Sequence, residues 1–168
     1  MIALQITDIK SFTSQLLNST SFDTFFLVEA FITTYQTIHI DGHIVPAYFE
    51  QTTSSEEPSA SLSEFSLWKD SRPFCFDLIK GKHTPVNFRF TLQASNSYLQ
   101  KLLQKEDPDF DSTPIKGLIL NIKYDQNQLF CITSVAYHSF IADKTLDKIW
   151  DKAIKKSLDM LGLSYEEK

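Results

Sequence analysis

The sequence predicts an α+β fold: antiparallel sheet, in one piece or two, built from two pseudo-repeated strand-helix-strand-strand units and followed by a C-terminal amphipathic helix. Three observations predict it. The chain opens on a two-residue hydrophobic period that gives way to a helical one. The same order of patterns returns at an offset of 86 positions, from Ile2 to Phe88. The last segment carries an apolar stripe with the 3.6-residue spacing of a surface helix.

Each element follows from its residues. Ile2, Leu4 and Ile6 alternate with Ala3, Gln5 and Thr7, the period of a strand, and Ile9, Phe12, Leu16 and Leu17 then fall on one face of a helix that Asp8 can cap. Phe25 to Ile32 and Thr37 to Ile40 are rich in aromatic and branched residues and read as strands joined by a hairpin, ahead of an Asp41-Gly42 turn. Residues 51–63, QTTSSEEPSASLS, are polar and read as a mobile surface loop.

The stretch FCFDLIKGKHTPVNFRF, Phe74 to Phe90, reads as a second hairpin. Sharing one apolar face requires Phe76 opposite Phe90 and Leu78 opposite Phe88, which puts Asp77 opposite Arg89 and leaves Gly81 to Pro85 as the loop. From Phe88 the repeat begins: Phe88, Phe90 and Leu92 match Ile2, Leu4 and Ile6, Tyr98 matches Phe12, and Leu102-Leu103 match Leu16-Leu17. It continues through a strand from Leu118 to Tyr124, a turn at Asp125 to Gln128, and a strand from Leu129 to Thr133. Leu146, Ile149, Trp150, Ala153, Ile154, Leu158 and Leu161 form the stripe of the last helix, which Gly162 is placed to end.

Composition bounds the function. One domain over residues 1–168 is expected, with 42% hydrophobic and 22% charged residues, fourteen phenylalanines and four glycines. A sheet-rich aromatic core suits that balance, and a glycine-rich phosphate loop does not. No signal-peptide pattern is visible, and no apolar run approaches the roughly 18 residues of a spanning helix. Cys75 and Cys131 lack a CxxC spacing and read as buried, reduced thiols inside strands of a cytoplasmic protein.

Charge is uneven. Residues 1–68 hold one lysine against eight acids, net −7, residues 69–89 hold five cations against two acids, net +3, and residues 90–168 hold ten lysines against eleven acids, net −1. A chain at −5 overall disfavours broad nucleic-acid or anionic-membrane binding but leaves room for one local anion site.

That site would use Lys80, Lys82 and His83 beside Gly81, with Arg72 just upstream, for a phosphate or carboxylate. Lysines at such a loop also serve simply to keep an edge hairpin soluble. His39, Asp41 and His43 alternate as metal ligands would, but the Asp-Gly turn interrupts the extension, so no metal is expected. The segment Asp107 to Asp111 starts like a calcium loop and fails at Ser112 and Leu118, where glycine and glutamate are needed. No nucleophile elbow is present, neither cysteine has an activating neighbour in sequence, and no cofactor is expected.

The segments SFDTFFLVEAFITTYQTIHIDG, RPFCFDLIKGKHTPVNFRF, LNIKYD and DKTLDKIWD together resemble a family of bacterial single-domain proteins of unknown function. The resemblance covers nearly the whole chain and implies one domain of about this length, with no activity, cofactor or catalytic residue attached. The duplicated units also resemble half-domains of DNA sliding clamps, in which helices face the duplex, although the first helix offers only Lys10 and the second only Lys101 and Lys105.

The expected function is binding, with a protein partner or an anionic ligand met near Lys80 to His83. One alternative is an enzyme on a phosphorylated or carboxylated small molecule, with Lys80, Lys82 and Arg72 holding the anion and His83 as acid or base. Another is a clamp-like nucleic-acid accessory protein.

Overall fold

The computed structural model describes residues 1–50, 63–112 and 114–168. The expected 51–63 loop therefore lies outside the described residues except for Ser63.

The chain runs β1 (Ala3–Ile6), α1 (Ile9–Asn18), β2 (Phe26–Thr33), β3 (Thr37–Asp41), α2 (Pro46–Glu50), β4 (Ser66–Leu67) and α3 (Trp68–Ile79). It continues with β5 (Asn87–Gln93), α4 (Asn96–Glu106), β6 (Ile115–Asp125), β7 (Gln128–Tyr137), α5 (Thr145–Met160) and β8 (Tyr165–Glu167). All strands join one antiparallel sheet in the order β3-β2-β5-β6-β7-β1-β8, with the short β4 also pairing β2.

Local signals explain most elements. Asp8 accepts from the Ser11 backbone N–H and caps α1, whose Phe12, Leu16 and Leu17 are buried. Ser95 caps α4 by accepting from the Tyr98 N–H. Gln126 and Asn127, both at positive φ, make the two-residue turn between β6 and β7 that matches the right-handed twist of the strands. Gly162, at φ +66, ends α5 with its N–H donating to the Asp159 carbonyl. The expected Asp41-Gly42 turn does not form: the chain runs on beside β2, with the Gly42 N–H donating to the Val28 carbonyl at 2.9 Å and His43 bridging Phe65, and a Cβ on Gly42 would overlap the Leu27 carbonyl oxygen.

The sheet has one covered and one open face. Leu27, Ala30 and Ile32 of β2, Phe88, Phe90 and Leu92 of β5, and Leu118, Leu120 and Ile122 of β6 share a core with Phe12, Trp68, Cys75, Leu99 and Trp150 from the helices. The intervening residues Phe31, Arg89, Lys123 and Phe130 stand in register across the other face and are half-buried or exposed. α5 is tied to the covered side by Trp150, whose ring N–H donates to the Ile119 carbonyl at 2.9 Å. Asp147 and Asp151 reinforce it, accepting from the hydroxyls of Tyr137 and Thr133.

The expected hairpin from Phe74 to Phe90 is corrected. Only its second half is a strand: Phe74 to Leu78 belong to α3, where Trp68, Cys75 and Ile79 fall on one helical face and Cys75 is fully buried. β5 pairs instead with β2 and β6, with Phe90 opposite Ala30 and Ile122. Arg89 consequently bonds Glu29 of β2 at 3.1 Å, and Asp77 pairs with Lys80 at 2.7 Å. Cys75 is a helical residue and Cys131 a strand residue; both are buried free thiols.

Strand-helix-strand-strand order does occur twice, as β1-α1-β2-β3 and β5-α4-β6-β7. The pairings differ between the two: β5 lies beside β6, whereas β1 lies at the far side of the sheet from β2, against β7.

Candidate functional site

The cationic segment begins where α3 runs out. The Lys80 N–H closes the last turn on the Phe76 carbonyl at 2.8 Å, and the chain crosses to β5, where the Val86 N–H donates to the Thr33 carbonyl. Lys82, His83 and Thr84 are exposed along this connection, and Pro85 is buried beneath it. Lys80 pairs with Asp77, both more than half exposed, and its ammonium lies 5.6 Å from the Phe76 ring centre. An ion pair so wet contributes about 0–1 kcal/mol and leaves the ammonium free to exchange partners.

Two grooves flank the connection. One, of about 320 Å³, runs between it and α1. Lys10, Thr13, Ser14 and Asn18 of α1 form one wall, Lys80, Gly81, His83 and Thr84 form the other, and Ile9, Ile79, Pro85, Phe88 and Tyr124 supply the apolar lining. The rings of Phe88 and Tyr124 stack with centres 5.0 Å apart and planes at 16°. No carboxylate lines this groove among the described residues. The other groove, of about 570 Å³, shares Lys80 and His83, adds Lys82, and is bounded by Tyr35, Gln36 and Ile38 near the β2–β3 turn; Asp77 also lines it.

Of the residues singled out in sequence, Lys80 and His83 are brought together in both grooves and Lys82 in the second. Arg72 lines neither. It holds Asp23 with two bonds, Nε to Oδ1 at 2.8 Å and Nη2 to Oδ2 at 2.9 Å, and also donates to the Leu17 carbonyl. With both side chains 18% exposed, the pair fastens α3 to the segment between α1 and β2.

Sequence reasoning missed Lys10, Thr13 and Asn18, because nothing local announces that α1 lies beside a loop some 70 positions later. Trp68 is fully buried at the start of α3, with its ring N–H donating to the Leu16 carbonyl at 3.1 Å.

The other ligand-like residues have local partners. His39 stacks on Phe31 with centres 4.2 Å apart and faces Glu29 at 3.8 Å. His43 Nδ1 lies 2.6 Å from Asp41 Oδ1. The His43 backbone N–H, and then its ring, hold the Asp41 carboxyl below the usual carboxylate range. Burial alone pushes the Cys75 thiol up to about 12 and raises Cys131 as well, the opposite of what an attacking thiolate requires. Among the described residues no helix is long and apolar enough to cross a membrane.

No curated protein and no solved structure matches the chain. Residues 15–166 of the 168 match the model of a family of unknown function, DUF5721, and the chain belongs to that family.

Proposed function

We propose that the protein acts by binding, and that the groove between α1 and the Lys80 to Pro85 connection takes a small anionic ligand with a flat apolar part. One observation carries this: Lys10, Lys80 and His83 line a groove that no carboxylate lines among the described residues, Asp77 meeting Lys80 from outside it, in a chain whose net charge is −5. A phosphate or carboxylate would meet the two ammonium groups and the imidazole, with the Thr13, Ser14 and Thr84 hydroxyls at hand to complete its hydrogen bonds. The apolar part would lie on Phe88, Pro85 and Tyr124. Lys82 adds positive potential from the far side of the loop. Arg72 acts indirectly, by fixing α3 and hence the start of the loop.

The test is a thermal-shift screen against aromatic carboxylates, nucleotides and other phosphorylated metabolites, since a ligand of the native state raises the melting temperature by mass action. A ligand that stabilises the wild type is expected to lose most of its effect with Lys10→Gln or Lys80→Gln and less with Lys82→Gln. Equal shifts in wild type and Lys10→Gln would place any binding elsewhere and sink the assignment.

A second reading is favoured by His83 standing in the same groove as Lys80: an enzyme on such an anion, with the imidazole moving a proton. It predicts that His83→Gln abolishes turnover of the ligand found in the screen while binding persists. We also place the protein in a reducing, cytoplasmic setting and a bacterial source, supported by two buried free thiols and by the whole-chain resemblance read from the sequence.

A further inference from the structure

We propose that the groove between α4 and α5 docks an acidic amphipathic helix of a partner protein. The groove holds about 540 Å³ and is independent of the loop site. Its floor is apolar: Tyr98 and Leu102 from α4, and Ile149, Ala153 and Met160 from α5. The first four are half-buried and Met160 is 71% exposed, so this apolar surface remains in contact with water. Methionine is the side chain best able to reshape itself around an incoming surface.

The rims identify the occupant. Lys101 and Lys105 stand one turn apart on the α4 rim, and Lys152 and Lys156 one turn apart on the α5 rim, all four exposed. Against them the lining offers, among the described residues, a single acid, Glu106, which Lys152 holds at 2.8 Å. A trough with an apolar floor and lysines on both edges is the complement of a helix whose apolar stripe is flanked by Asp and Glu. Duplex DNA fits less well, because phosphates gain nothing from a floor of Leu102, Ile149 and Met160. A membrane surface fits less well too, since the lysines edge a concavity between two helices where a bilayer calls for one outward-facing apolar stripe.

Fluorescence anisotropy with the full chain tests this, using a labelled peptide of about four helical turns with leucines at i, i+3, i+4 and i+7 and glutamates flanking them. Its counterpart with lysines in place of the glutamates, anionic phosphatidylglycerol vesicles and a short DNA duplex serve as competing probes. The acidic peptide is expected to bind, and to weaken as NaCl rises from about 0.05 to about 0.5 M. Reversing one charge on each rim, with Lys105→Glu and Lys156→Glu together, is expected to weaken it by at least about tenfold. Filling the floor with Ala153→Gln is expected to weaken it while leaving the rims intact, and circular dichroism confirms that each variant is folded. Equal binding of the acidic and basic peptides overturns the proposal, as does no binding up to about 1 mM. So does an acidic-peptide affinity unchanged in the folded variants, or charge-reversal-sensitive binding to vesicles or duplex alone.

Discussion

Residues 74–78 read FCFDL and residues 88–92 read FRFTL, the same spacing of two phenylalanines and a leucine, yet the first is helix and the second is strand. In β5 the alternation is literal: Phe88, Phe90 and Leu92 are buried, while Arg89 is exposed and Thr91 half-buried. In α3 the same pattern is rotated. Cys75 is the fully buried residue, Phe76 and Leu78 are half-buried, and Phe74 is 53% exposed. Five residues fit either period, so the neighbours decide: Trp68 and Ile79 fall on the helical face of Cys75 and extend it into a stripe, and nothing comparable flanks Phe88. The helix packs on the strand through its first residue, with the Trp68 ring centre 5.0 Å from that of Phe90. A strand that is paired on both edges needs a cover for its core face, and α3 is part of it.

The difference between the segments is open to direct attack. Phe90→Ala empties a fully buried site at the centre of the sheet and is expected to cost about 3–5 kcal/mol, whereas Phe74→Ala should stay within about 0.5 kcal/mol. Urea denaturation of the two variants measures this, and equal costs would mean that Phe74 points into the core as a strand residue would. The two arginines give the next contrast. Arg72→Met breaks a partly buried, doubly bonded pair and is expected to cost about 2 kcal/mol, while Arg89→Met on the open face should cost less than about 1 kcal/mol. Double-mutant cycles with Asp23→Asn and Glu29→Gln isolate the two couplings.

Pro73 lies inside α3, where it removes a backbone donor and crowds the preceding turn. Pro73→Ala is therefore expected to stabilise the protein by about 1 kcal/mol, read as a higher urea midpoint. In a hairpin strand the same change would bring no such gain.

The alkaline limb of stability separates α3 from β5 in another way, since only α3 carries a thiol. Burial raises the Cys75 thiol to about 12, and burial first, then Asp147, raises the Tyr137 phenol to about 12, against ordinary values of 9.0 and 10.0. Above pH 9 the unfolded chain loses these protons while the native state keeps them, so unfolding releases protons and stability falls as pH rises. Urea midpoints between pH 8 and pH 11 check the slope, and Cys75→Ala should make it shallower, with Tyr137 and Cys131 supplying what remains.

Much of the scaffold is legible locally. Ile2, Leu4 and Ile6 turning into Ile9, Phe12, Leu16 and Leu17, with Asp8 between them, marks β1 and α1 because a change of period and a capping residue coincide. The β6–β7 hairpin and α5 are similarly marked, one by long alternating runs on either side of a turn and the other by a four-turn apolar stripe. The candidate site was legible only as charge. Lys80, Lys82 and His83 stand together in sequence, but the identity of the wall opposite them does not.

Elements whose period runs long enough to exclude the other choice, with the caps and turns that bound them, follow from local residues alone. Tertiary structure decided the rest: that all strands form one sheet, that Phe74 to Leu78 turn as a helix, that Arg89 meets Glu29 and Arg72 meets Asp23, and that α1 and α5 each close a groove with a distant element. The physical reason is range. Backbone propensity and capping act over a few residues, whereas the order β3-β2-β5-β6-β7-β1-β8 is set by which apolar faces can be buried together, and only that order decides which side chains meet.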